Sequence, residues 1–108
     1  MTRALVVDDA THTNENLLDY LHDHYKNWDM VEIHQYEYAL KKIQTESFDV
    51  LTLDAHIPSK DCQNLVDTLH DKQPEAKIYI AMNDSQLKTD YSRVINRGLI
   101  LVPDAKAN

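Results

Sequence analysis

The chain has 108 residues, 43% hydrophobic and 27% charged, enough for one domain over 1–108 with a single core and no covalent staples. Its formal net charge of −7 repels nucleic-acid phosphates, and no apolar run reaches the roughly 20 residues of a membrane helix, so neither nucleic acid nor membrane is an expected partner. A lone cysteine, Cys62, excludes an internal disulfide and fits a reducing, cytoplasmic setting, while a lone glycine, Gly98, excludes P-loops and dinucleotide fingerprints.

In chain order, Ala4-Leu-Val-Val7 reads as a short buried strand that runs straight into Asp8-Asp9, which also rules out a signal peptide. Thr11 or Thr13 caps a first helix with Leu17, Leu18, Leu21 and Tyr25 on one stripe; Tyr25 and Trp28 pack its end. Met30–Ile33 alternates more and is placed nearer a sheet edge. Tyr36, Ala39, Leu40 and Ile43 then recur at helical spacing. Val50-Leu-Thr-Leu53 is a strand-length apolar run that stops on Asp54, and Pro58 forbids a simple continuation. A third helix carries Cys62, Leu65, Val66 and Leu69 on its inner face, with the cysteine as a small core residue. Lys77–Met82 is a fourth strand. Asp84 or Ser85 caps a fourth helix with the stripe Leu87, Tyr91, Val94 and Ile95, and Gly98 stands where a helix end favours a left-handed residue. Leu99-Ile-Leu-Val102 is a fifth strand, ended by Pro103.

Short apolar strands alternating with helices predict an α/β three-layer sandwich: a parallel sheet covered on both faces. Right-handed crossovers favour the flavodoxin-like strand order 2-1-3-4-5. That order sets the first and third strands side by side, so Asp8, Asp9 and Asp54 meet in one crevice at their C-terminal ends. Taken alone, Asp54 reads equally as a turn cap. Crowded carboxylates raise one another's pKa or share a cation, and an open set of oxygen ligands suits magnesium. A metal beside an unshared carboxylate also makes a phosphoryl site with the aspartate as nucleophile.

These residues resemble the CheY-like receiver domains of response regulators in two-component signalling. The likeness rests on Leu5-Val-Val-Asp8-Asp9, on Phe48-Asp-Val-Leu-Thr-Leu-Asp54 with Ile57-Pro58 and Asp61 at family spacing, and on Tyr38-Ala-Leu40. It implies that Asp54 is the phospho-acceptor, and that Asp8 and Asp9 hold Mg2+ together with Asp54 and the backbone carbonyl of His56. It implies a histidine kinase or phosphotransfer protein as phosphodonor, a signalling module rather than an enzyme, and a cis bond between Val102 and Pro103.

The departures are equally specific. Receivers end the fourth strand on Thr or Ser, where this chain has Met82, and the fifth on Lys-Pro, where it has Val102-Pro103. Asn83 or Ser85 is a candidate stand-in for the hydroxyl and Lys60 for the ammonium, but the missing charge removes several kcal/mol of stabilisation from a developing anion. Cys62 stands where a glycine is usual. Only Asp104–Asn108 follow Pro103, too few for a fifth helix, which predicts a bare apolar sheet face and hence a homodimer or a downstream protein partner. The six histidines include no helical metal-ligand pair, and His12 and His56 read as solvated loop residues. Two functions follow: a stand-alone receiver with impaired or unconventional phosphorylation, or a phosphorylation-independent pseudo-receiver that acts by binding a partner. A haloacid-dehalogenase-type phosphatase needs Asp-x-Asp, which Asp54-Ala-His56 breaks.

Overall fold

β3 (Val50–Asp54) is buried along its whole length, as an apolar strand with a neighbour on each edge should be. It pairs in parallel with β1 (Thr2–Val7) and β4 (Lys77–Met82). Outside these lie β2 (Trp28–Ile33) and β5 (Gly98–Leu101), giving the order β2-β1-β3-β4-β5 anticipated from the sequence. The computed structural model describes residues 1–8 and 15–103, without the side chains of Glu15 and Asn16. The predicted caps Thr11 and Thr13 therefore lie outside the described residues.

Four helices cover the sheet among the described residues: α1 (Glu15–His24), α2 (Tyr36–Thr45), α3 (Ser59–Lys72) and α4 (Asp84–Thr89). One core forms where Ala39 and Ile43 of α2 and Cys62, Leu65, Val66 and Leu69 of α3 meet Leu5, Val7, Leu51, Leu53, Ile78 and Ile80. The other forms where Leu17 and Leu21 of α1 meet Val6, Ala81, Ile100 and Val102. The alternation of β1 and β4 residues between the two clusters follows from the two-residue period of a strand.

The bare sheet face expected beside α1 is closed. Val6, Val50, Thr52, Ala81 and Ile100 are each at most 4% exposed. Tyr25, Trp28 and Tyr79 pack against this face, with Tyr25 stacked on Trp28 at 4.1 Å between ring centroids and Trp28 tilted against Tyr79 at 5.9 Å. Large side chains reaching in from β2 and β4 thus cover the strands between them. Exposed apolar groups elsewhere include Leu99 and Leu101, which alternate to the opposite face, and Tyr91, Tyr38 and Ile95 at 64%, 63% and 57% exposure.

The fourth helix is shorter than its apolar stripe suggests. Asn83, not Asp84 or Ser85, caps it, and its backbone leaves the helical region at Asp90. A 3-10 turn, Tyr91–Val94, follows, so Leu87 and Val94 reach the core while Tyr91 and Ile95 turn outward. Gly98 opens β5 instead of ending a helix, and Asn96 takes the left-handed conformation at φ 66°. What demands glycine at 98 is close approach: a Cβ there would lie 2.4 Å from Cδ1 of Tyr79. Gly98→Ala is therefore expected to lower the unfolding free energy by about 1–2 kcal/mol, and a midpoint unchanged in denaturant titration would show that the ring yields freely. The Val102–Pro103 bond is trans, not the cis bond the family likeness implies.

Candidate functional site

The parallel register sets the site. Val7 pairs with Leu53, so the next residues, Asp8 and Asp54, emerge side by side at the C-terminal ends of β1 and β3. Asp8 is held by its own N–H donating to the Ile33 carbonyl at 3.1 Å, and Ala55, just past Asp54, donates to the Ala81 carbonyl at 3.0 Å. Both carboxylates are deep, at 4% and 2% exposure. Asp9 lies outside the described residues.

Asp54 is polarised between its two oxygens. Oδ1 accepts from the backbone N–H of His56 at 2.9 Å and lies 3.0 Å from the His56 ring Nδ1. Oδ2 is buried with no hydrogen-bond partner. Burial raises the Asp54 pKa, the bonds and charge of His56 pull it back, and the neighbouring charge of Asp8 adds to the rise. An orphaned carboxylate oxygen in a crevice with a second acid is a group that gains from a cation or an electrophile. Asp8 has its own imidazole partner: His34 Nδ1 pairs with Asp8 Oδ1.

Histidine 34 was invisible as a lone residue in the sequence. Its signal was the predicted sheet order, because the residue that follows the second strand must face the residue that follows the first. His56 was expected to contribute its carbonyl to a metal and otherwise to stand in solvent. It is an exposed loop residue, as expected, but its ring also meets Asp54 on one side and Gln86 on the other, with 3.2 Å between His56 Nε2 and Gln86 Nε2. Among the described residues no cluster of three acids, histidines or thiols surrounds a common point. The donor set fits a hard divalent cation all the same: two buried carboxylates, one of them with an unsatisfied oxygen.

Met82 and Val102, expected from the family likeness to stand in place of a hydroxyl and an ammonium, are both apolar and buried, at 0% and 1% exposure; Met82 sits in the α2–α3 core and Val102 in the α1 core. Pro103 follows, exposed. Asn83 spends its side chain on the cap of α4, while Ser85 and Lys60 are exposed. Cys62 is a core residue whose thiol burial pushes up to about 11, so it is no nucleophile at neutral pH.

Among solved structures, the response regulator TrrA from Thermotoga maritima, in complex with Mg(2+)-BeF, matches at 24% identity and TM-score 0.63, over 99% of this chain and 88% of its own. The receiver domain of the sensor histidine kinase PA1611 from Pseudomonas aeruginosa, with a magnesium ion coordinated in its active-site cleft, matches at 12% identity and TM-score 0.63, over 99% and 87%. The chemotaxis response regulator CheY4 of Vibrio cholerae matches at 19% identity and TM-score 0.63, over 94% and 86%. At these identities the likeness shows the fold. No curated protein sequence matches the chain. The sequence model of the response regulator receiver domain matches residues 4–100, nearly the whole of the described sheet and its helices. With that match laid over the acid pair at the strand ends, the chain belongs to the response regulator receiver domain family of two-component signalling.

Proposed function

We propose that residues 1–108 act as one receiver unit that takes a phosphoryl group on Asp54, drawn from a histidine kinase, a phosphotransfer protein or a small phosphodonor. The observation that supports this is the buried, unpartnered Oδ2 of Asp54 beside Asp8. In the reaction Oδ2 attacks phosphorus, the bond from phosphorus to the donor nitrogen or oxygen breaks, and the donor leaves with that electron pair. Asp8 and Asp54, with Asp9 and the His56 carbonyl, would hold the magnesium ion. Bound there, it would neutralise the charge that builds on the phosphoryl oxygens.

The chain's own residues make this transfer slow. Neither Met82 nor Val102 can donate to the phosphoryl oxygens, and a missing donor of that kind typically costs two to three orders of magnitude in rate, about 3–4 kcal/mol. His34 and His56 already occupy one oxygen of each acid. Downstream, the signal passes by contact with a partner protein or a second copy, for which the exposed Tyr91, Ile95, Leu99 and Leu101 offer apolar surface.

The test is incubation with magnesium and phosphoramidate or acetyl phosphate, read by intact mass. A one-phosphoryl gain that disappears in Asp54→Ala is the expected result. No gain after prolonged incubation at high donor concentration overturns the proposal. That outcome favours the second reading, a pseudo-receiver that works by binding alone, for which the apolar Met82 and Val102 already speak.

A further inference from the structure

The buried Met82, the last residue of β4, has no polar group through which a change at Asp54 could reach α4. The structure holds another connection. Gln86 and Asn83 form a reciprocal capping box: Asn83 N–H donates to Gln86 Oε1 at 2.9 Å and Gln86 N–H donates to Asn83 Oδ1 at 2.9 Å. With its oxygen committed to Asn83, the Gln86 amide presents its NH2 to His56 Nε2, 3.2 Å away. His56 Nε2 is then the acceptor, so the ring proton sits on Nδ1 and donates to Asp54 Oδ1 at 3.0 Å. The polarity is consistent at every link, from the helix cap through amide and imidazole to the buried carboxylate. A second tie runs parallel to it: Arg93 Nη1, in the 3-10 turn after α4, donates to the Ile57 carbonyl at 2.6 Å. The loop between β3 and α3 is thus fastened to the α4 segment at two points.

We infer that His56 and Gln86 are positioning residues that couple the chemical state of Asp54 to the cap of α4, in place of a hydroxyl on β4. A carboxylate oxygen is a strong acceptor, whereas the carbonyl of an acyl phosphate is a weak one. Phosphorylation on Oδ2 therefore loosens the grip of Oδ1 on the His56 ring and, through it, weakens the hold of that ring on the Gln86 side chain. The inference rests on the proposed role of Asp54, but the connection itself can be examined without any phosphoryl group.

The experiment is a double-mutant cycle read by amide hydrogen exchange and backbone chemical shifts over residues 83–89. Asp54→Ala alone is expected to speed exchange in α4 several-fold, and the same substitution in a His56→Phe background to change it less than twofold. His56→Gln, whose amide can donate to Asp54 and accept from Gln86, is expected to restore the response. Equal α4 responses to Asp54→Ala with and without His56, or failure of His56→Gln to outperform His56→Phe, overturns the coupling. In a second arm, magnesium and beryllofluoride are added to the unaltered chain and to Gln86→Ala. An adduct on both, with α4 shifts at least threefold smaller in Gln86→Ala, supports the coupling, and equal shifts overturn it. No adduct on the unaltered chain counts against Asp54 as acceptor and leaves the first arm to decide.

Discussion

Phe48→Ala lowers the free energy of unfolding by about 3–5 kcal/mol. Phe48 is 1% exposed and among the largest fully buried side chains, lying in the α2–α3 core directly before β3. Its truncation removes the ring's transfer free energy and leaves a cavity that rigid sheet and helices cannot close. The Arg3 guanidinium, 4.8 Å from the ring centroid, also loses its aromatic partner. The backbone bond from Phe48 N–H to Gln73 Oε1 survives, so the change reports on the ring alone. Against a total of about 5–15 kcal/mol for a domain of this size, the loss brings the chain to the edge of unfolding at ambient temperature. Urea titration checks it, and a loss below about 1 kcal/mol would mean that the ring is not packed as described.

Asp54→Asn has the opposite sign. At neutral pH it is expected to stabilise the fold by on the order of 1–3 kcal/mol, because it replaces a buried carboxylate with an orphaned oxygen by a neutral amide. The pH dependence follows from burial, which raises the carboxyl's pKa in the folded chain. The native state then holds a proton that the unfolded chain gives up in the ordinary aspartate range, about pH 4. Stability linked to Asp54 is complete below that range and is lost as pH rises through the raised native value. The gap between Asp54→Asn and the unaltered chain should accordingly be smallest below about pH 4 and widen towards neutrality. Thermal melts across that interval measure it; a constant gap would mean that Asp54 is not desolvated. A side chain that costs stability where it stands is held there for another reason, and the proposed phosphoryl acceptance would supply one.

The strands, the sheet order and the meeting of Asp8 with Asp54 were legible because they depend on periodicity and on the handedness of crossovers, both written locally. The same holds for Cys62, Leu65, Val66 and Leu69. What escaped depends on register and on side-chain direction. His34 reaches Asp8 only once β1 and β2 are aligned, and Gln86 reaches His56 from a helix that Asn83, not Asp84 or Ser85, begins. The stripe Leu87, Tyr91, Val94, Ile95 promised a longer helix, but a 3-10 turn rotates two of its members into water. The covering of the α1 face was missed for a related reason. Trp28 and Tyr79 come from strands that are not neighbours, and nothing in their spacing shows that their rings meet.

The parallel pairing of β1 carries a consequence for how the chain is made. Both neighbours of β1 lie downstream of it, and neither can be reached by a tight hairpin, so β1 leaves the ribosome before either and waits for them to dock. Asp8 acquires its companion only after Asp54 has been synthesised and β3 has slotted in. The pairing of the two acids and completion of the central sheet thus arrive together, and a nascent chain that has not closed its middle lacks the proposed acceptor site.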